Sequence, residues 1–545
     1  MLMEIQKSPL DRQDASRENE AMDLFDVIGS YGPWQRRTFW VFFYMNMIGT
    51  WQLWSVTFLA PNVDFKCADQ LHFNNGTTSL DDRRHRNTNT YFNNWTSSFD
   101  DSRAQTTSPF VSNKTISFDD RCEVVVDNHS TVAKCTSWNY DVQDNIVSEW
   151  DLVCDRQWLV SFAKSVYQFG YLLSVIVFGQ MADWLGRFPV IVVCYTITTV
   201  AMFLSMLSTS YTMYAVLRFF QAFGRTGLTT TGVVLVMEIM GPGHRAEAGI
   251  LIQLGWTFGF VSLVAVTWFI RNWIWLQCAL GVALLPVAFC YRIIPESPRW
   301  LLMRGQKDRL QRLLTEAVEL NKRELKVPVK DIQLLKENED QKAKTLIHLL
   351  KLPKMRNRLF IMLYLWLASS FTYYGLSFNT NELAGDMYLN FFLSGLIEFP
   401  STALLYFCTL RVGRRPTLVW FTFGAGIACV AILAVPTDHQ WLETTLVMLG
   451  KFSVNGSYGL LVLYTNEIYP TVVRTAAVGS CQTAARIGSI LAPFVKELGT
   501  YTHYSVPNVL YGVLALTSGL LSLLLPETKG KNMPDTMEEG ENFGQ

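Results

Sequence analysis

Residues 179–189 read GQMADWLGRFP, and residues 406–416 read YFCTLRVGRRP. Each stretch lies between two long apolar runs and packs glycine, arginine and proline into one short turn. The copies stand 227 residues apart. Two further markers repeat at nearly that interval. Glu238 and Arg245 correspond to Glu467 and Arg474 at an offset of 229, and PESPRW (295–300) to PETKGK (526–531) at 231. Three markers at one interval define two homologous halves, so the turn is duplicated because the bundle around it is.

The apolar runs are of membrane-spanning length. They lie at about 38–60, 158–181, 189–208, 211–238, 248–270 and 273–294, then at about 357–378, 386–410, 416–435, 441–466, 475–497 and 504–525. About 20 residues of helix cross a hydrocarbon core of about 30 Å. Only 17% of the 545 residues are charged and 13% are aromatic, against about 25% charged in soluble domains. The expected fold is an all-α membrane protein with twelve transmembrane helices in two six-helix halves. Its parts are an N-terminal segment (1–37), an N-terminal half (38–294), a central loop (295–356), a C-terminal half (357–525) and a tail (526–545). No basic region ahead of a short apolar core marks a cleavable signal peptide.

Basic residues set the orientation. Arg36, Arg37, Arg187, His244, Arg245, Arg411, Arg414, Arg415 and Arg474 all fall on one side of a twelve-span chain. So does the loop 295–356, with 15 Lys or Arg against 9 Asp or Glu. Both termini, that loop and the tail are expected to be cytoplasmic, and the helix-like stretches of the loop to be solvated. Its charge could also attract anionic lipid. Residues 61–157 then form a large extracellular loop after the first helix. That loop carries four N-glycosylation sequons, at Asn75, Asn94, Asn113 and Asn128, and four cysteines, Cys67, Cys122, Cys135 and Cys154. Four cysteines in an oxidising compartment suggest two disulfides, with three possible pairings.

A two-half carrier works by rocking its halves about a central site near the midplane. The turns must open and close as it does so. Gly179 and Gly186 permit a tight turn. Asp183 and Arg187 offer charge-assisted contacts to the adjacent bundle and to helix ends, in a latch with Glu238 and Arg245. The second latch holds Gly413, Arg414, Glu467 and Arg474, with Leu410 in place of the acid, and is expected to be weaker.

The motif GQMADWLGRFP resembles the signature loop of the major facilitator superfamily. PESPRWLL, NEIYPTVVR, the opening FDVIGSYGPWQR and the cysteine-bearing first outer loop resemble its organic cation, anion and zwitterion transporter family. The match covers about 20–530. It implies a carrier of small organic ions with an aromatic, mostly uncharged cavity. Arg486 stands where cation-selective relatives carry an acid and where anion and carnitine-type relatives carry arginine. Glu398 lies in the eighth span, and Thr402 stands where anion carriers often place a lysine. This combination looks most like the carnitine-type, zwitterion-handling branch. A carboxylate suits the planar fork of Arg486, and an ammonium group suits aromatic faces and an acid. The candidate cage is Trp366, Tyr373 and Tyr374 in the seventh span, with Trp256 and Gln253 in the fifth and Asn46 in the first. The resemblance singles out Tyr373. Lys451 and Arg218 read as structural residues at the start of their spans, while Lys164 and Arg225 could face the cavity.

No catalytic constellation, phosphate loop or metal-ligand cluster competes, so neither an enzyme nor a metalloprotein is expected. Nucleic acid is not an expected partner. The expected function is plasma-membrane transport of zwitterions or cations, such as carnitine-like betaines, β-alanine or amine conjugates. A zwitterion gains nothing from membrane potential, so its accumulation calls for a coupling ion, with Na⁺ the first candidate. An organic anion exchanger and a transport-inactive receptor or scaffold are the rival readings. Enzymatic deglycosylation should lower the apparent mass of the wild type. Replacing Asn75, Asn94, Asn113 and Asn128 together should abolish that shift, and a surviving glycan would overturn the topology.

Overall fold

The computed structural model describes residues 24–68, 122–126, 131–323 and 346–543, apart from 384, 437–438, 471, 504, 532–533 and 535. Its N-terminal half contains α1 (Pro33–Leu59), α2 (Trp158–Leu185), α3 (Arg187–Ser205), α4 (Tyr211–Ile239), α5 (Arg245–Phe269) and α6 (Trp273–Phe289). The C-terminal half contains α7 (Pro353–Phe378), α8 (Met387–Leu396), α9 (Glu398–Arg411), α10 (Arg414–Ala431), α11 (Gln440–Ile468), α12 (Arg474–Leu491) and α13 (Val506–Ser522).

Among the described residues, eight helices are long and apolar enough to cross a membrane, with α8 and α9 counted as one. The expected spans at α1, α4, α12 and α13 fall outside that set. For the first three, polar interior residues offer a physical reason. α1 buries Asn46, Thr50, Gln52, Ser55 and Thr57, and α4 buries Arg218, Gln221, Arg225, Thr226 and Thr231. α12 carries Arg486 among small residues. α13 has 17 residues.

The packing repeats between the halves. α1 packs on α5 as α7 packs on α12, α3 on α4 as α10 on α11, and α2 on α4 as α9 on α11. Corresponding glycines sit at two of these crossings. A Cβ on Gly259 would lie 2.5 Å from the Met47 carbonyl oxygen, and one on Gly488 would lie 2.4 Å from that of Leu367. Only a residue without a side chain permits such backbone approach.

The eighth apolar run is broken. Pro400 has no N–H to donate, and its ring crowds the carbonyl four residues back, at Leu396. α8 ends there, and α9 starts at Glu398. The break places Glu398 in the first turn of a new segment, where it is 1% exposed.

Residues 63–143 form a separate unit, described here by itself. β1 (Phe65–Cys67) pairs antiparallel with β4 (Trp138–Tyr140), and β2 (Glu123–Val126) with β3 (Thr131–Lys134). Cys67 is bonded to Cys135, and Cys122 and Cys154 are also in disulfide linkage. The four sequons lie outside the described residues. Residues 144–157, read as part of the loop, belong instead to the helical unit. Trp150 packs on Tyr211, Tyr214 and Trp273, and the Trp273 N–H donates to the Asp144 carbonyl.

The central loop also differs from its expected solvated state. The helix Lys307–Leu320 buries Leu310, Leu313, Leu314 and Ala317 against Leu24, Phe25, Val27 and Ile28. Their spacing of three and four residues makes one apolar stripe. The Asn321 side chain accepts from the Trp34 N–H at 3.0 Å and donates to the Ile28 carbonyl at 2.7 Å. Beyond α13, the Glu541 carboxylate accepts the N–H groups of Lys354 and Met355, each at 3.0 Å, and so satisfies the start of α7.

A side chain at the α7–α12 crossing must push the helices apart, and overpacking typically costs about 1–3 kcal/mol. Gly488→Val should therefore lower the melting temperature of detergent-solubilised protein and its surface expression. Gly479→Ala, with nothing within 4 Å of the new Cβ, should do neither.

Candidate substrate-binding site

The two quoted turns fold into twin clusters. Gly186 and Gly413 adopt φ of 105° and 123°, values an L side chain rarely takes. Arg187 reaches Glu238 through two nitrogens at 2.8 and 3.0 Å, and Arg414 reaches Glu467 at 2.9 and 3.0 Å. Each arginine also donates to the carbonyl five residues back, at Ala182 and Thr409. Its own N–H meets a second glutamate, Glu296 at 2.7 Å or Glu527 at 2.9 Å. The partners of each arginine thus come from its own half and from the segment just beyond it. Asp183 adds a 3.1 Å contact to Arg187, but its side chain is 77% exposed. Arg245 and Arg474 each donate to the carbonyl five residues back, at Met240 and Tyr469.

These second glutamates differ in charge preference. Burial pushes the Glu296 carboxyl up, and the N–H groups of Ser297, Arg187 and Phe188 offset this only in part. Burial also raises Glu527, but the N–H groups of Arg414, Lys529, Arg415 and Thr528 outweigh it and hold the carboxyl below its ordinary value.

At mid-depth, α7 delivers Tyr373 and Tyr374 to the boundary between the halves. The Tyr373 hydroxyl donates to Glu398 Oε1 at 2.7 Å and accepts from Trp256 Nε1 at 3.3 Å. Lys451 Nζ lies 3.5 Å from the same carboxylate oxygen. It donates to Ser394 Oγ at 2.5 Å and sits 4.1 Å from the Phe260 ring centre. Arg486 Nη1 donates to the Tyr374 hydroxyl at 3.2 Å, and its guanidinium carbon lies 3.6 Å from the centre of the Tyr171 ring. Among the described residues, no carboxylate forms an ion pair with Arg486. Trp54 on α1 binds these groups into one aromatic cluster, with ring centres of Phe260, Phe378, Tyr374, Trp256 and Tyr373 4.9–6.5 Å away.

Not every expected residue joins the cluster. Trp366 donates to Thr465 Oγ1 at 2.9 Å and reaches Tyr373 only through Tyr458, which packs on both. Asn46 ties α1 to α5 by donating to the Ile252 carbonyl at 2.9 Å. Gln253 is exposed. Gly179 has open space around its Cβ direction. Arg225 lies 5.6 Å over Trp256, and Lys164 lies 5.1 Å over Phe378.

Lys451 is the main correction. It is about three turns into α11 and 1% exposed, rather than at a span's start. Arg218, two turns into α4, does have a structural partner, since Nη1 donates to the Gln52 carbonyl at 2.9 Å. A lysine in mid-helix without a sequence-local acid was the available signal for Lys451. Trp54, Tyr171 and Phe260 carried none beyond being aromatic.

Two helical halves related by a repeat, with ionisable and aromatic side chains gathered at their boundary, define a membrane carrier of the major facilitator fold. A family model described as "Sugar (and other) transporter" matches residues 106–538. The chain is 33% identical over 536 residues to the "Organic cation transporter protein" of Drosophila melanogaster, covering 96% of this chain and 95% of that one. It is 32% identical over 407 residues to human "Solute carrier family 22 member 2", covering 74% and 73%. The xylose transporter XylE from E. coli, in a partially occluded inward open conformation, shares the fold at a TM-score of 0.53 and 18% identity, covering 69% of this chain and 90% of XylE. The chain belongs to the sugar (and other) transporter family of the major facilitator superfamily, and its relatives are carriers, not enzymes.

The twin carboxylates generate a pH prediction. A depressed pKa stabilises above the unfolded value and loses that stabilisation as pH falls through the folded one. A raised pKa stabilises below the unfolded value and is lost as pH rises through the folded one. At neutral pH, Glu527→Gln should therefore lower the melting temperature more than Glu296→Gln. The gap should close on acidification below the ordinary glutamate range. Melting curves of the solubilised variants across pH would check this.

Proposed function

We propose that the chain is a plasma-membrane carrier of small organic zwitterions and cations, such as carnitine-like betaines, β-alanine or amine conjugates. In this reading twelve spans alternate access, with both termini cytoplasmic. The observation that carries it is Arg486, a guanidinium held by a phenol and an aromatic face with no acid paired to it among the described residues. Its hydrogen-bonding fork suits a substrate carboxylate. The Drosophila relative is named for organic cations, and a zwitterion meets both requirements. Hydrogen bonds across the halves fit alternating access. Ser161 donates to Glu497 at 2.8 Å and Ser165 to the Ile490 carbonyl at 2.7 Å, where the start of α2 meets the end of α12 and the short helix Phe494–Tyr501 beyond it.

One observation favours organic anion exchange as a second reading. Arg225 is 3% exposed, and its Nε and Nη1 have no hydrogen-bond partner among the described residues. It could supply a second guanidinium to an anion. Uptake of a radiolabelled aryl carboxylate beside carnitine and β-alanine separates the two readings. Replacing sodium medium with N-methylglucamine medium at clamped potential tests Na⁺ coupling.

Removing one partner of a desolvated charge pair costs about 2–5 kcal/mol. Arg486→Ala should therefore nearly abolish zwitterion uptake, and Arg486→Lys should restore only part of it. Surface biotinylation keeps misfolding distinct from lost binding. An Arg486→Ala variant at the surface with unchanged zwitterion affinity would refute the assignment.

A further inference from the structure

The surroundings of Lys451 have the chemistry of an ammonium-binding site. Two aromatic faces flank Nζ, Phe260 at 4.1 Å and Tyr373 at 5.6 Å. A hydroxyl, Ser394 Oγ, accepts from it at 2.5 Å, and the Glu398 carboxylate lies 3.5 Å away. Aromatic faces with an acid are how proteins hold organic ammonium ions. Here the occupant is a side chain of the protein itself. The box is also composite, since Phe260 comes from α5 in one half while Ser394, Glu398 and Tyr373 come from α8, α9 and α7 in the other.

We propose that Lys451 is a specificity-determining residue, whose tethered ammonium fills this box and occupies Glu398, so that a substrate cannot be held there by its cationic group alone. The inference deepens the zwitterion reading and rests on it for its biological meaning. A substrate must then be held by its carboxylate at Arg486, and a simple organic cation finds Glu398 already engaged by Lys451. The neighbouring charges reinforce the exclusion. Arg486 lies beside Tyr374, and Arg225 lies over Trp256, the residue that donates to Tyr373.

The test vacates the box. Lys451→Ala removes the ammonium and the chain carrying it, leaving space for a compact quaternary cation. In cells expressing the full-length chain, with surface amounts matched by biotinylation, Lys451→Ala should take up radiolabelled tetramethylammonium at least about tenfold faster than wild type, as expected for gaining a desolvated acid as partner. Lys451→Arg, which keeps the box charged, should stay at the wild-type rate. Lys451→Ala combined with Glu398→Gln should lose the gain. If Lys451→Ala reaches the surface and carries no more tetramethylammonium than wild type, the proposal is overturned. A gain in Lys451→Arg overturns it too, because charge occupancy would not be the cause. Should Lys451→Ala fail to reach the surface, culture in millimolar tetramethylammonium must restore it by filling the box. Failure to restore it would make Lys451 a structural residue and end the proposal. None of these arms uses a zwitterion. A wild type that carries no zwitterion therefore removes the proposed function while leaving the box tested on its own.

Discussion

Arg187 and Arg414 each hold a glutamate through two nitrogens at the end of the following helix pair, and each presents its own N–H to a second glutamate. This arrangement needs arginine's planar fork, because a lysine presents a single point charge. It also needs a glycine just before it, at positive φ, to turn the chain so that guanidinium and N–H face the same pocket. The cluster thereby joins the turn between two helices to the end of a third and to the segment beyond the last helix of the half. The repeat follows from this constraint being met twice. Where the copies differ, at Asp183 against Leu410, the lost group is an exposed carboxylate, and the buried part of the cluster is kept.

The interior solves a different problem. Lys164, Arg218, Arg225 and Lys451 are buried, and Arg486 is half-buried, while Glu398 is the acid among them at mid-depth. Charge in a low-dielectric setting is costly. The structure meets that cost largely with aromatic faces. Tyr171, Tyr167, Trp256, Phe378 and Phe260 each lie beneath one of these cations. Such faces attract a cation without neutralising it, whereas Lys451 also has the Glu398 carboxylate beside it.

How much of this was legible in the sequence depended on range. The repeat and the helical halves were readable from local pattern, and resemblance singled out Tyr373, Tyr374, Trp256, Glu398 and Arg486, which the structure gathers in one cluster, but the pairing of Arg187 with Glu238 and of Arg414 with Glu467 was not read. The engagement of Lys451 with Glu398 was not, because it joins residues 53 positions apart through a helix break that only the packing reveals. Residues 307–320 were misread as solvated because their stripe of leucines is diluted by charge, although its spacing was available. The inclusion of residues 144–157 in the helical unit depends on Trp150 meeting aromatic rings on α4 and α6, a contact with no local signature.

The break before Pro400 has an electrical consequence. Ser394, the hydroxyl under the Lys451 ammonium, lies in the last turn of α8, and Glu398 lies in the first turn of α9. The carbonyl end of one helix and the amide end of the next therefore meet at one point inside the bundle. A helix carries partial negative charge at its carbonyl end and partial positive charge at its amide end. The ammonium is thus placed at the carbonyl pole and the carboxylate at the amide pole. The backbone itself forms a dipole junction that matches the pair charge for charge. A proline that would merely kink a soluble helix here creates a place inside the bundle where each buried charge has a backbone counterpart beside its side-chain partner.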